Sequence, residues 1–123
     1  MIRTLRARAA LLLGLLLLAA SAAHAQIRPP AVPLIVHDPY FSVWSFNDRL
    51  TDDWSRHWTG AVQALCGMVR ADGCTYRFSG PAPAGCPAMD QVGLETTPTR
   101  TGYRFRGSGV ELAVSFLSPL LPN

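Results

Sequence analysis

The chain has 123 residues and a formal charge of +3, but it contains no lysine, and three of its eleven arginines (Arg3, Arg6, Arg8) fall in the first eight residues. From residue 26 onward eight arginines face eight acids, which leaves no net field and no basic run to hold a phosphate backbone or anionic lipid. The length allows one small domain, and 42 hydrophobic residues among the 98 from residue 26 onward argue against a disordered tail.

Residues 1–25 read as an export signal. The arginine-bearing start is followed by a run of Ala, Leu and one Gly from Ala9 to Ala20, and Ala23-His24-Ala25 places small residues at the cleavage positions. That run is shorter than the ~20 apolar residues that keep a helix in a bilayer. The expectation is cleavage after Ala25, no stable membrane anchor, and an exported chain, periplasmic or extracellular.

The mature chain opens on an extended lead-in, 26–33, held out of helix by Pro29, Pro30 and Pro33. Leu34 to Val36 and Tyr40 to Phe46 are rich in β-branched and aromatic residues and predict two short strands, with Pro39 at the break between them. Asn47 to Thr59 is polar with interleaved tryptophans and predicts a structured loop, with a helical turn after Thr51. Ala61 to Arg70 is apolar, Ala71-Asp72-Gly73 is turn chemistry, and Cys74 to Phe78 alternates with period two, so a hairpin is expected in which Arg70 faces Cys74. Cys74, Tyr76 and Phe78 would share one face.

Ser79 to Pro87, with three prolines among Gly and Ala, predicts a surface loop. Val92 to Thr97 and Tyr103 to Arg106 read as strands, and Gly107-Ser108-Gly109 turns the chain into Val110 to Phe116, whose Val110, Leu112, Val114 and Phe116 face one way. No segment keeps a helical period for three turns. The fold class is therefore all-β: a partial antiparallel β-sandwich of about five or six strands, which the apolar stretch from Leu117 to Asn123 leaves incomplete at the C-terminus.

Cys66, Cys74 and Cys86 are an odd set, so at most one internal bridge can form. In the expected hairpin Cys66 and Cys74 stand about 13 Å apart along the ladder at roughly 3.3 Å per residue, beyond the limit of about 7 Å for bridged Cα atoms. Cys86 can reach either of the others, and three free thiols fit equally well. No cofactor is implied, and without a CxxC pair and with only His37 and His57 in the mature chain no metal site is implied either.

Six of the eleven aromatic residues lie between Tyr40 and Trp58, interleaved with Asp48, Asp52, Asp53 and His57. Aromatic faces beside carboxylates and an imidazole can hold a polar substrate, and the same residues can plug a loop onto a sheet while aspartates cap backbone N–H groups. Asp53, His57 and Trp58 are the substrate-binding candidates, as orienting rather than reacting groups. No catalytic residue is assigned, because no nucleophile, base and oxyanion donor occur together. Carbohydrate stacking on Trp44, Trp54 and Trp58, as in a glycosidase-associated module, is the alternative.

One series of motifs is more specific. Asp38-Pro39-Tyr40-Phe41-Ser42-Val43-Trp44-Ser45, then Leu50-Thr51-Asp52, His57-Trp58-Thr59-Gly60, Val69 to Phe78, and finally Val110-Glu111-Leu112 through Phe116 to Pro122 resemble, in order and spacing, the N-terminal region of secreted glutaminase A-type proteins. Cys74 departs from that pattern, standing where a polar residue such as Lys is expected. After the signal at 1–25, the resemblance implies an N-terminal glutaminase-associated β domain at 26–90 and the start of a following β-sandwich segment at 91–123. It also implies a partner, a C-terminal helical domain of the same protein, and a parent family of hydrolases that convert L-glutamine to L-glutamate and ammonia. This chain alone would be inactive, its only other contact a small polar substrate and not nucleic acid.

Overall fold

The computed structural model describes residues 29–118. The expected export signal at 1–25 and the stretch 119–123 lie outside the described residues. Among the described residues seven strands are present, one more than the upper expectation, and all pair antiparallel.

β1 (Val32–Val36) and β2 (Ser42–Ser45) form the first hairpin, with Pro39 in the connection. β1 begins inside the proline-rich lead-in: Pro33 pairs with Trp44, and the register slips between Pro33 and Ile35. A bulge tolerates a residue that cannot donate to the ladder, which is how a proline enters this strand.

β3 (Gly67–Ala71) and β4 (Cys74–Ser79) form the second hairpin, one residue out of the expected register, because Ala71 rather than Arg70 faces Cys74. Asp72 (φ 48°) and Gly73 (φ 80°) make a two-residue left-handed turn that matches strand twist, so Ala71 remains in the ladder. Cys74, at the turn, is exposed, while Tyr76 and Phe78 pack on the core. Residues 61–66 do not extend β3. All three cysteines are free.

β5 (Asp90–Thr96), β6 (Arg100–Gly107) and β7 (Val110–Leu117) build the one three-stranded sheet among the described residues. Ser108 and Gly109 repeat the left-handed turn of the second hairpin, at φ 47° and 74°. β6 is central and alternates strictly: Thr101, Tyr103 and Phe105 are buried, and Arg100, Arg104 and Arg106 are exposed.

The first hairpin packs against this sheet through β1, which touches β6 and β7. The Thr101 hydroxyl donates to the Pro33 carbonyl (2.7 Å), and the Val36 N–H donates to the Ser118 hydroxyl (2.9 Å). The second hairpin joins through Phe78, whose ring lies 5.8 Å from that of Phe105. Val32, Leu34, Val43, Leu50, Met89, Tyr103 and Phe105 are the buried apolar residues where the layers meet. The result is a partial β-sandwich, a three-stranded sheet faced by two hairpins.

Candidate functional site

The aromatic and acidic residues fall in two connected places: the tip of the first hairpin, residues 37–41, and the long loop from Phe46 to Cys66. No helical turn forms after Thr51. The chain closes a single turn instead, with the Asp52 N–H donating to the Arg49 carbonyl and the Arg49 N–H to the Asp52 carboxylate, both at 3.1 Å. An aspartate that binds local backbone in this way competes with helix propagation. The loop is fixed to the three-stranded sheet by Gln91, whose side-chain oxygen accepts from the Leu50 N–H (2.9 Å) while its amide nitrogen donates to the Asp48 carbonyl (3.0 Å).

Two of the three candidate residues converge on one atom. The Trp58 indole N–H donates to the Pro39 carbonyl at 3.0 Å, and His57 Nε2 lies 2.9 Å from the same oxygen. A carbonyl oxygen can only accept, so Nε2 carries the proton and Nδ1 is the acceptor, facing the Thr59 hydroxyl (2.8 Å) and the Thr59 N–H (3.3 Å). Nε2 thus joins the 57–60 turn to the hairpin tip, while Nδ1 closes the turn on Thr59. Asp53 does not join them: its carboxylate pairs with Arg56 at 2.8 Å, and Arg56 also donates to the Gly60 carbonyl at 3.2 Å. It sets the shape of the loop that presents His57 and Trp58.

Asp38 organises the tip from the other side. Its Oδ1 accepts the N–H groups of Tyr40 (2.7 Å) and Phe41 (2.9 Å). Composition did not single out this residue, although an aspartate before a proline is a turn signal. What the tip displays is aromatic: Tyr40 is 90% exposed and Trp58 58%. Trp44 and Trp54 are half-buried instead, with the Trp44 indole N–H given to the Ser42 hydroxyl and the Trp54 ring beside Gly80.

Hydrogen bonds from Tyr40 and Phe41, aided slightly by His37, hold the Asp38 carboxyl below its ordinary value of 3.8. The Arg56 hydrogen bond, then the Trp54 N–H, do the same for Asp53. A carboxylate with a depressed folded pKa contributes stability above its unfolded pKa, and that contribution is lost as pH falls through the folded value. NMR titration of the side-chain carboxyls should therefore give midpoints below 3.8 for both, with the Tyr40 and Phe41 amide shifts following the Asp38 titration and Arg56 following Asp53. Midpoints at or above the ordinary value would show that these contacts do not persist in solution.

Residues 16–84 match a family described as a domain of unknown function, DUF4964. The chain belongs to this family. The DUF4964 match takes in β1 to β4 and the whole aromatic loop, and β5 to β7 follow it. The chain is also 36% identical over 104 residues to a protein named glutaminase A from Aspergillus oryzae, a match covering 78% of this chain and 15% of that one. To a probable glutaminase from Arthroderma benhamiae it is 28% identical over 122 residues, 85% of this chain and 14% of the relative. The shared stretch is thus a small part of each curated relative. No solved structure matches the chain.

Proposed function

We propose that this DUF4964 chain serves as a non-catalytic β domain of an exported glutaminase-like amidohydrolase, whose larger remainder, a helical domain, hydrolyses L-glutamine to L-glutamate and ammonia. The observation that carries the reading is the proportion of the match, 78% of this chain but only 15% of the glutaminase. The side chains agree with a supporting role, since His57 and Trp58 spend polar atoms on the hairpin tip and Asp53 spends its own on the loop. In this reading residues 1–25 direct export to the periplasm or medium, 26–90 form the glutaminase-associated unit, and 91–123 begin the next β-sandwich segment.

An ammonia-release assay on L-glutamine tests it. The chain of 123 residues should show no turnover, and a protein in which the helical domain follows it should be active. In that longer protein alanine at His57 or Trp58 should lower kcat/KM by about tenfold, roughly 1.4 kcal/mol of transition-state stabilisation, if the pair also orients substrate. Turnover by the short chain would overturn the non-catalytic assignment, and unchanged kinetics in both variants would remove the orienting role.

A further inference from the structure

We propose that the outer face of the β5–β6–β7 sheet carries a binding groove for an acidic α-amino acid, with Arg100 and Glu95 taking its α-carboxylate and ammonium and Arg104 its side-chain carboxylate.

The groove follows from the register. On the face turned away from the core, Gly93, Arg104 and Ala113 stand in one rung, and Glu95, Gly102 and Ser115 in the next. Four of these six residues have at most a hydroxymethyl side chain, and they adjoin at the middle of the sheet. The result is a depression of about 250 Å³ where a solvated face would ordinarily carry long side chains. A Cβ on Gly102 would meet nothing within 4 Å, so the space above the central strand is open. Glycine inside a strand weakens it by roughly 0.5–1 kcal/mol and commonly marks a place where a ligand or another backbone comes close. Here two glycines stand in adjacent rungs.

The charges lining the depression form no ion pair among the described residues. Arg106, the outermost cation of the row, is paired with Glu111 at 3.4 Å. Among the described residues the guanidinium groups of Arg100 and Arg104 and the carboxylate of Glu95 have no such partner. Arg104 lies folded across Gly93, where a Cβ would come within 2.9 Å of its Nε, so its guanidinium is held against the sheet rather than extended into solvent. The Cα atoms of Arg100 and Arg104 flank Gly102 four residues apart, about 13 Å at the strand rise, a spacing on the scale of a short dicarboxylate held by two long side chains.

The polarity of the ligand follows from the end at which Glu95 sits. Glu95 and Arg100 together line a smaller recess of about 110 Å³ with Thr97 and Gly102, whereas Arg104 stands at the far side of Gly102. Two cations and one anion complement two carboxylates and one ammonium. Guanidinium is the side chain best suited to grip a carboxylate, through paired N–H donors. The inference rests on the groove alone and not on the glutaminase reading; if both hold, the groove retains the acidic product of the reaction beside the enzyme.

The test is an NMR titration of the full chain with L-glutamate, L-glutamine, glutarate and acetate. L-Glutamate should give saturable shifts centred on Gly93, Gly102 and Ser115, with a Kd of about 1 mM, typical of a few exposed charge-assisted contacts. Glutarate, which lacks the ammonium, and L-glutamine, which lacks the second carboxylate, should each bind about fivefold to tenfold more weakly. Arg104→Gln should lower the L-glutamate affinity to that of L-glutamine and leave L-glutamine unaffected, and Gly102→Val should remove binding of both. Absence of saturable shifts, equal shifts with acetate, or L-glutamate binding that survives Arg104→Gln unchanged would each overturn the proposal. Arg104 is exposed, so its variant keeps the fold and that arm remains decisive even if Gly102→Val disturbs the sheet. Binding without turnover, and turnover without binding, separate this inference from the glutaminase reading.

Discussion

Replacing Phe105 by alanine should remove a large part of the chain's stability near neutral pH. Phe105 is fully buried, stacked at 5.9 Å on Tyr103 and tilted at 5.8 Å against Phe78, so it joins the three-stranded sheet to the second hairpin. Truncating a buried phenylalanine costs about 3–5 kcal/mol, because the neighbours collapse only partly into the cavity. At roughly 0.05–0.15 kcal/mol per residue, a described region of this size has about 5–13 kcal/mol to lose, and a core of only seven buried apolar side chains places it toward the lower end. Urea denaturation followed by tryptophan fluorescence measures the loss. Leu117→Ala is the control, since that side chain is 55% exposed and should cost less than about 0.5 kcal/mol. Equal midpoints for the two variants would mean that Phe105 does not bridge the layers.

Gly80→Ala should be the second most damaging single change. Gly80 has φ +78°, and a Cβ there would lie 2.8 Å from the Leu65 carbonyl oxygen and 3.2 Å from the Trp54 ring. The backbone cannot move aside, because the Gly80 N–H donates to the Leu50 carbonyl (2.9 Å) and its own carbonyl accepts from Arg77 (2.6 Å). The left-handed conformation costs an alanine about 1–2 kcal/mol, and contact with a main-chain oxygen adds to that. Gly73→Ala isolates the first part, since Gly73 has φ +80° with nothing within 4 Å of the added atom. The expected loss at Gly80 is about 3 kcal/mol, against about 1 kcal/mol at Gly73. If the two variants lose the same stability, the packing of Trp54 and residue 65 over Gly80 is not as described.

Local chemistry was legible where a few adjacent residues decide the outcome. Ala71-Asp72-Gly73 and Gly107-Ser108-Gly109 read as turns, and Asp72, Gly73, Ser108 and Gly109 adopt the positive φ that a two-residue hairpin needs, with Ala71 and Gly107 left in the strands. The alternation of β7 and the break at Pro39 were legible for the same reason, since side-chain period and the missing proline N–H act within a strand. What failed was register and extent. Ala71 rather than Arg70 faces Cys74, and β1 admits Pro33 through a bulge, because one residue of register depends on backbone geometry that side-chain types do not encode. The helical turn after Thr51 gave way to Asp52 binding the backbone N–H of Arg49.

By itself the sequence determined the all-β class, the position of the turns, and the motif series shared with glutaminase-named proteins. Only the tertiary structure decided how the candidate residues are used. His57 and Trp58 meet on the carbonyl of Pro39, eighteen and nineteen residues away, while Asp53 turns to Arg56. The groove over Gly102 likewise exists only once three strands align Gly93, Gly102, Ala113 and Ser115. A main-chain carbonyl is present at every residue, and an absent side chain is silent in a linear text. Which carbonyl is left to accept, and which small residues adjoin, is settled by the long-range pairing of strands.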